Sequence, residues 1–136
     1  NHAEIKRGKP RMVVNYKRLN ENLEFDRYFI PRKDVLINLT KGSKIFRKFD
    51  CKSGFWQIQL TEESKKLTAF STPRGHYHWN VMSFGLNIAP QVFQRWMDTI
   101  FKDLKDCCVV YIDDILIFSK TKEEHKKHLK LLCEKF

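Results

Sequence analysis

No stretch of this chain approaches the roughly 18 consecutive apolar residues that a membrane-spanning helix needs, so the first expectation is a soluble protein with no membrane partner. Paired cysteines are missing too. Cys51, Cys107, Cys108 and Cys133 form no CxxC, and three of them lie in or beside apolar runs, so reduced, buried thiols are expected. His125 and His128, three apart on an expected helix, could share a face as metal ligands, but no cysteine pair at zinc spacing accompanies them. Nor is there a repeat, a low-complexity tract or a flexible linker. The opening Asn1-His2-Ala3-Glu4-Ile5-Lys6-Arg7 has neither an initiator Met nor the apolar core of a signal peptide. An intracellular, cytoplasmic location and an internal piece of something longer are therefore expected. Acids are outnumbered, 16 against 26 Lys and Arg, which leaves a net charge of +10. That balance favours a polyanionic partner such as nucleic acid, although ribosomal and membrane-surface proteins share it. With 136 residues, 42% apolar and 13% aromatic, the chain can fold as one compact domain with a real core.

The pattern along the chain mixes two periods. Arg11-Met12-Val13-Val14-Asn15-Tyr16 reads as a strand, closed by polar Asn20-Glu21-Asn22. Pro31 suits the first turn of a helix with Val35, Leu36 and Leu39 on its apolar face and Gly42 as its stop. Lys44 to Asp50 reads as a strand ending in an acid, Cys51 to Gly54 as a turn, and Phe55 to Leu60 as an alternating strand with Trp56, Ile58 and Leu60 on one face. After the polar break Thr61 to Ser64, a hairpin of Lys66–Ser71 and His76–Met82 is expected around Pro73-Arg74-Gly75. Val92, Phe93, Trp96, Met97, Ile100, Phe101 and Leu104 recur at helical spacing after Pro90, a stripe best read as core packing. Thr121-Lys122-Glu123-Glu124 is a capping box that opens a last helix carrying Leu129, Leu131 and Leu132. Hairpin-paired strands with a few helices imply an α+β fold, a largely antiparallel sheet with helices packed on one face.

The stretch from Cys107 to Ser119 organises the rest. Two runs rich in β-branched and aromatic residues flank Asp113-Asp114, so a hairpin with the two acids at its tip is expected. Asp-Asp is a poor turn pair, because such turns need positive φ and the two charges repel. A solvated surface turn is one reading; a hard divalent cation that turns the repulsion into attraction is the other. Asp50 ends a strand, so if that strand neighbours the hairpin, three carboxylates meet at one sheet edge. Two Mg²⁺ ions held about 3.5 to 4 Å apart by such acids support in-line phosphoryl transfer, and the surrounding bases would then hold phosphates.

These residues resemble a known family. Tyr111-Ile112-Asp113-Asp114 resembles the YxDD box of reverse transcriptases, and Phe49-Asp50-Cys51-Lys52-Ser53-Gly54-Phe55 their first aspartate motif. Val81 to Pro90 is similar to the intervening loop and helix start, and Arg11 to Asn20 to the strand that begins the fingers. The four blocks stand in family order from about Lys6 to the last residue. Their character lies nearest the polymerases of plant pararetroviruses, the caulimovirus group, and next the Ty3/Gypsy retrotransposons. Ser83 departs from the proline of many relatives, and Asn87-Ile88 alters the approach to Ala89-Pro90.

The resemblance implies a partial reverse transcriptase domain over residues 1–136, with fingers at about 1–24 and 58–88 and palm at about 25–57 and 89–136. No thumb is included. It implies a nucleotidyltransferase, an RNA-directed DNA polymerase that joins a dNTP to a primer 3′-hydroxyl on an RNA or DNA template. Asp50, Asp113 and Asp114 would be catalytic, ligating two Mg²⁺ ions (Mn²⁺ able to substitute) with help from the Cys51 carbonyl. Lys6 and Arg11 would lie on the triphosphate, Phe55 under the sugar, and Phe84 and Gly85 beside the incoming nucleotide and template base. Plain core packing is the other reading of Phe55 and Phe84. The downstream thumb and RNase H of a parent polyprotein, in a virus-like particle or replication complex, would be its partners, and little activity is expected of this piece alone. Two alternatives stand beside this: a nucleic-acid-binding remnant of an endogenous element, catalytically inactive through truncation, and a phosphoacceptor domain of parallel, doubly wound fold, which the hairpins disfavour.

Overall fold

The computed structural model describes residues 12–24 and 26–135 and divides into two compact units, one of residues 1–24 and 55–89, the other of residues 25–54 and 90–136. In the second unit β1 (Ile45–Asp50), β4 (Cys108–Tyr111) and β5 (Asp114–Ser119) form an antiparallel sheet in the order β1-β5-β4. The register pairs Ile45 with Ser119 at one end and Asp50 with Asp114 at the other. Cys108 and Val110 of β4 stand opposite Ile117 and Ile115 of β5, and all four are buried, which is the alternation that one covered face requires. The sheet is antiparallel throughout, so the doubly wound alternative is excluded.

The helical stripe forms α4 (Ala89–Ile100), with Phe93 and Met97 buried, and continues through a 3₁₀ turn, Lys102–Leu104, that buries Leu104. The last helix, α5 (Lys122–Cys133), packs along β5 and buries Leu132. Thr121 caps it by accepting a hydrogen bond from the Glu124 amide at 3.2 Å. The Glu124 carboxylate accepts in return from the amide of Lys120, one residue earlier than a capping box would have it. His125 and His128 both turn Nδ1 to the buried Ser119 hydroxyl, at 3.0 and 2.6 Å. The helix expected after Pro31 is α2 (Lys33–Asn38), and Gly42 follows it with φ of 88°. Its apolar face stays largely open: Val35 and Leu39 are exposed. The four cysteines are free thiols, but Cys133 is exposed and Cys51 half-buried, so burial holds only for Cys107 and Cys108. Burial first, and then the neighbouring Cys107, push the Cys108 thiol up to about 12.

The first unit departs further from expectation. Met12 to Tyr16 run irregularly and lead into α1 (Lys17–Asn22), so the described part of the Arg11–Tyr16 strand is absent. Side-chain anchoring replaces ladder bonds there. The Tyr16 hydroxyl donates to the Thr68 carbonyl at 2.7 Å, and Asn20 donates to the Gly85 carbonyl at 2.9 Å while accepting from the Asn87 amide. The polar break is instead the start of α3 (Glu62–Leu67), with Thr61 capping the Ser64 amide. Acids in its first turn and lysines in its last oppose the helix dipole favourably, a charge order that was visible in the letters. That helix takes Lys66 and Leu67 from the expected hairpin, which shortens to β2 (Phe70–Thr72) and β3 (Gly75–Tyr77). Phe55 to Leu60 is not a strand. Gly54–Gln57 coils as a 3₁₀ turn, and only residues 58–60 meet residues 80–82, through the Gln59–Val81 bridge and the flanking amides of Leu60 and Met82. Aromatic stacking explains the preference: Trp56 stacks on Trp79 at 6.1 Å and meets Phe84 edge-on at 5.4 Å. No described helix is long and apolar enough to cross a membrane.

Candidate active site

Asp50 and Asp114 face each other across the last register pair of β1 and β5, and Tyr111 faces Asp114 across the hairpin. The Cys51 amide donates to the Asp113 carbonyl at 2.8 Å, which closes the corner between β1 and the acidic turn. Gly54 lies against the same corner. A Cβ on it would lie 3.4 Å from Cβ of Asp113 and 3.7 Å from the Phe93 ring. The backbones of the three aspartates, with Asp50 63 and 64 positions from the other two, thus meet at one end of the sheet. The Cys51 thiol registers all three: burial raises its pKa first, and Asp113, Asp50 and Asp114 raise it further by disfavouring a neighbouring negative charge.

The tip itself differs in detail from the expectation. Its two central residues are Ile112 and Asp113, while Asp114 already opens β5. Ile112 takes φ of 54°, a conformation that a β-branched side chain rarely adopts, and strain of this kind concentrates at functional sites. Gln94 of α4, only 1% exposed, secures it. Its Oε1 accepts from the Ile112 amide, and its Nε2 donates to the Val110 carbonyl and to Asp98 Oδ1, each at 3.0 Å. Sequence reading missed Gln94 because it sits in an apolar helical stripe; its spacing of four from Asp98 was the available signal. Asp98 in turn accepts from the Tyr28 hydroxyl, which raises that phenol to about 12.

Lys48 was missed as well. Two residues before Asp50 on β1, it shares the carboxylates' face, and its Nζ stands 3.5 Å from Asp50 Oδ1 and 3.4 Å from Asp114 Oδ1. The charge of Asp114, then that of Asp50, raises the Lys48 pKa. Asp114 is itself raised, by burial first and by its hydrogen bond with Asp50 second, with Lys48 pulling the other way. Two facing carboxylates bridged by one ammonium offer the oxygen donors that a hard divalent cation takes, though among the described residues no three acidic, His or Cys side chains already form a cation cage.

Of the remaining expected residues, Phe55 and Phe84 lie together in the first unit, half-buried, their rings 5.2 Å apart. Gly85 beside them takes φ of 101°, and a Cβ there would meet the Val14 carbonyl oxygen at 3.0 Å. Lys6 and Arg11 lie outside the described residues.

An antiparallel sheet thus presents Asp50, Asp113 and Asp114 at one end of its strands, and comparison with known proteins defines the class. The chain matches the reverse transcriptase (RNA-dependent DNA polymerase) family over residues 3–136 and belongs to it. It is 53% identical over 135 residues to the enzymatic polyprotein of Cauliflower mosaic virus (strain Strasbourg), covering 99% of this chain and 20% of that protein. The enzymatic polyprotein of Soybean chlorotic mottle virus is 51% identical over 137 residues, with the same coverage of 99% and 20%. The chain therefore spans about a fifth of the length of these curated relatives. Among solved structures, the prototype foamy virus protease-reverse transcriptase superposes with a TM-score of 0.84 at 25% identity, covering 95% of this chain and 17% of that one. The foamy viral protease-reverse transcriptase in complex with an RNA/DNA hybrid shares the fold at a TM-score of 0.84, with 24% identity and coverage of 92% and 17%.

Proposed function

We propose that this chain is the fingers and palm portion of an RNA-directed DNA polymerase, acting within a viral or retroelement polyprotein. The first unit would be the fingers and the second the palm. The observation that carries this reading is the pairing of Asp50 with Asp114 beside the Asp113 turn. In the reaction, the primer 3′-oxygen would form a bond to the α-phosphorus of a dNTP while the bridging bond to the β-phosphate breaks, pyrophosphate leaves, and the hydroxyl proton passes to solvent. Asp50, Asp113 and Asp114 would hold the ions, with the Cys51 carbonyl assisting. Mg²⁺ or Mn²⁺ held there would supply Lewis acidity to the reacting phosphate. Phe55 would exclude a 2′-hydroxyl by bulk, and Phe84 and Gly85 would border the nucleotide and template base. Lys6 and Arg11 would grip the triphosphate, and the net charge of +10 suits a template-primer backbone. The RNA/DNA hybrid held by the foamy virus protein supports the same partner here.

The test is thermal. Mn²⁺ or Mg²⁺ binding only the folded chain would add about 2.7 kcal/mol of stability at a hundredfold excess over Kd, and Asp113→Asn would abolish that gain. A melting temperature indifferent to both ions would defeat the reading. In the parent polyprotein, Asp113→Asn should likewise stop extension of a primed RNA template.

A further inference from the structure

Lys48 has a place in this site that the acidic motif alone does not assign. Alternation along β1 puts Lys48 and Asp50 on one face, and the register sets Leu116 opposite Lys48 and Asp114 opposite Asp50. The lysine thus starts beside Leu116, and its ammonium reaches Asp50 along the same strand and Asp114 diagonally across to β5. The same face holds a cleft of about 230 Å³ bordered by Lys33, Ile37, Tyr111 and Leu116 as well as by Lys48 and Asp114. A second cation, Lys33, is in that cleft but is spent elsewhere, with its Nζ 4.9 Å above the Tyr111 ring. Lys48 alone of the two bridges both acids, at nearly equal distances of 3.5 and 3.4 Å.

We propose that Lys48 is the resident counter-cation of the acidic pair, a positioning residue that holds Asp50 and Asp114 together until a divalent ion displaces its ammonium. The inference rests on the metal-binding reading above. A divalent ion takes carboxylate oxygens at about 2.0 to 2.1 Å for Mg²⁺ and leaves no room for an ammonium between the same two oxygens. Lys48 and the ion therefore compete for the pair. Two consequences oppose each other: the lysine steadies the ion-free site and weakens the apparent affinity for the ion. A residue with only a structural role would change the first and leave the second alone.

The experiment is equilibrium Mn²⁺ binding, followed by electron paramagnetic resonance and calorimetry on the 136-residue chain, paired with melting temperatures in chelator and in saturating Mn²⁺. Lys48→Met keeps the stem and removes the charge. It should tighten Mn²⁺ binding about three- to fivefold, the upper part of what loss of a solvent-exposed ion pair can release, and should lower the melting temperature in chelator. Lys48→Arg should bind within about twofold of the unmodified chain, since the charge is kept. Lys33→Met, which deletes a charge from the same cleft without touching the acids, should also stay within about twofold, because an exposed charge acts weakly unless it is close. Equal tightening by Lys33→Met and Lys48→Met would reduce the effect to net charge and overturn the proposal. Unchanged or weaker binding by Lys48→Met, while the unmodified chain binds, would overturn it and leave the metal site standing. Failure of every variant and of the unmodified chain to bind Mn²⁺ would remove the metal site itself.

Discussion

Gln94 is the perturbation with the most to say about how the acidic turn is held. Replacing it with Met keeps an unbranched side chain of similar reach and removes all three of its hydrogen bonds. The Val110 carbonyl and the Ile112 amide lose a partner at a site where Gln94 is 1% exposed, so water cannot easily replace it. A buried polar group left without a partner costs about 1 to 3 kcal/mol, so two give about 2 to 6 kcal/mol, a large part of a typical domain's stability. The melting temperature should fall by on the order of 10 °C. The strained φ of 54° at Ile112 has its amide secured by Gln94, so the loss should be local as well as global. Urea titration gives the first number, and amide hydrogen exchange at Ile112 gives the second. Faster exchange at Ile112 than the global destabilisation accounts for is expected. A midpoint within about 0.5 kcal/mol of the unmodified chain, with Ile112 exchange unchanged, would refute the clamp, because a surface-like substitution behaves that way.

Other outcomes follow from single contacts. Gly85→Ala sets a Cβ 3.0 Å from the Val14 carbonyl at a φ of 101°, and should destabilise the chain by about 1 to 3 kcal/mol in urea unfolding. A neutral effect would mean that the loop moves aside freely. Tyr28, raised to about 12 from 10.0 by its bond to Asp98, holds its proton more tightly folded than unfolded. Its contribution to stability is therefore complete below pH 10, falls as pH rises from 10 and is gone above about 12. Tyr28→Phe should flatten that decline in melting temperature, and ultraviolet titration should lose a phenol that ionises near 12. An unchanged alkaline profile in the Phe variant would place the late-titrating phenol elsewhere.

What was legible in the letters was local or carried by motif. The stripe from Phe93 to Leu104 is a helical face, the Asp113-Asp114 hairpin joins two β-rich runs, and Thr121 starts a helix because its hydroxyl caps it; each depends on near neighbours. The family, too, could be named from four short blocks in order. Where alternation misled, aromatic packing outweighed period: Phe55 to Leu60 alternates, yet Trp56 finds Trp79 and Phe84, and the chain coils instead of extending. Thr61 to Ser64 carried a cap and a favourable charge order that a polar stretch concealed.

The sequence by itself determined which residues bear charge, that an acid follows one β-rich run, and that two adjacent acids lie between two others. Only the tertiary structure decided that β5 lies between β1 and β4 in the register that sets Asp50 against Asp114. It alone put an ammonium between those two acids and a buried amide behind the turn. The physical reason is range: capping and periodicity act over a few residues, whereas strand order and register are settled by burying one face of the whole sheet at once.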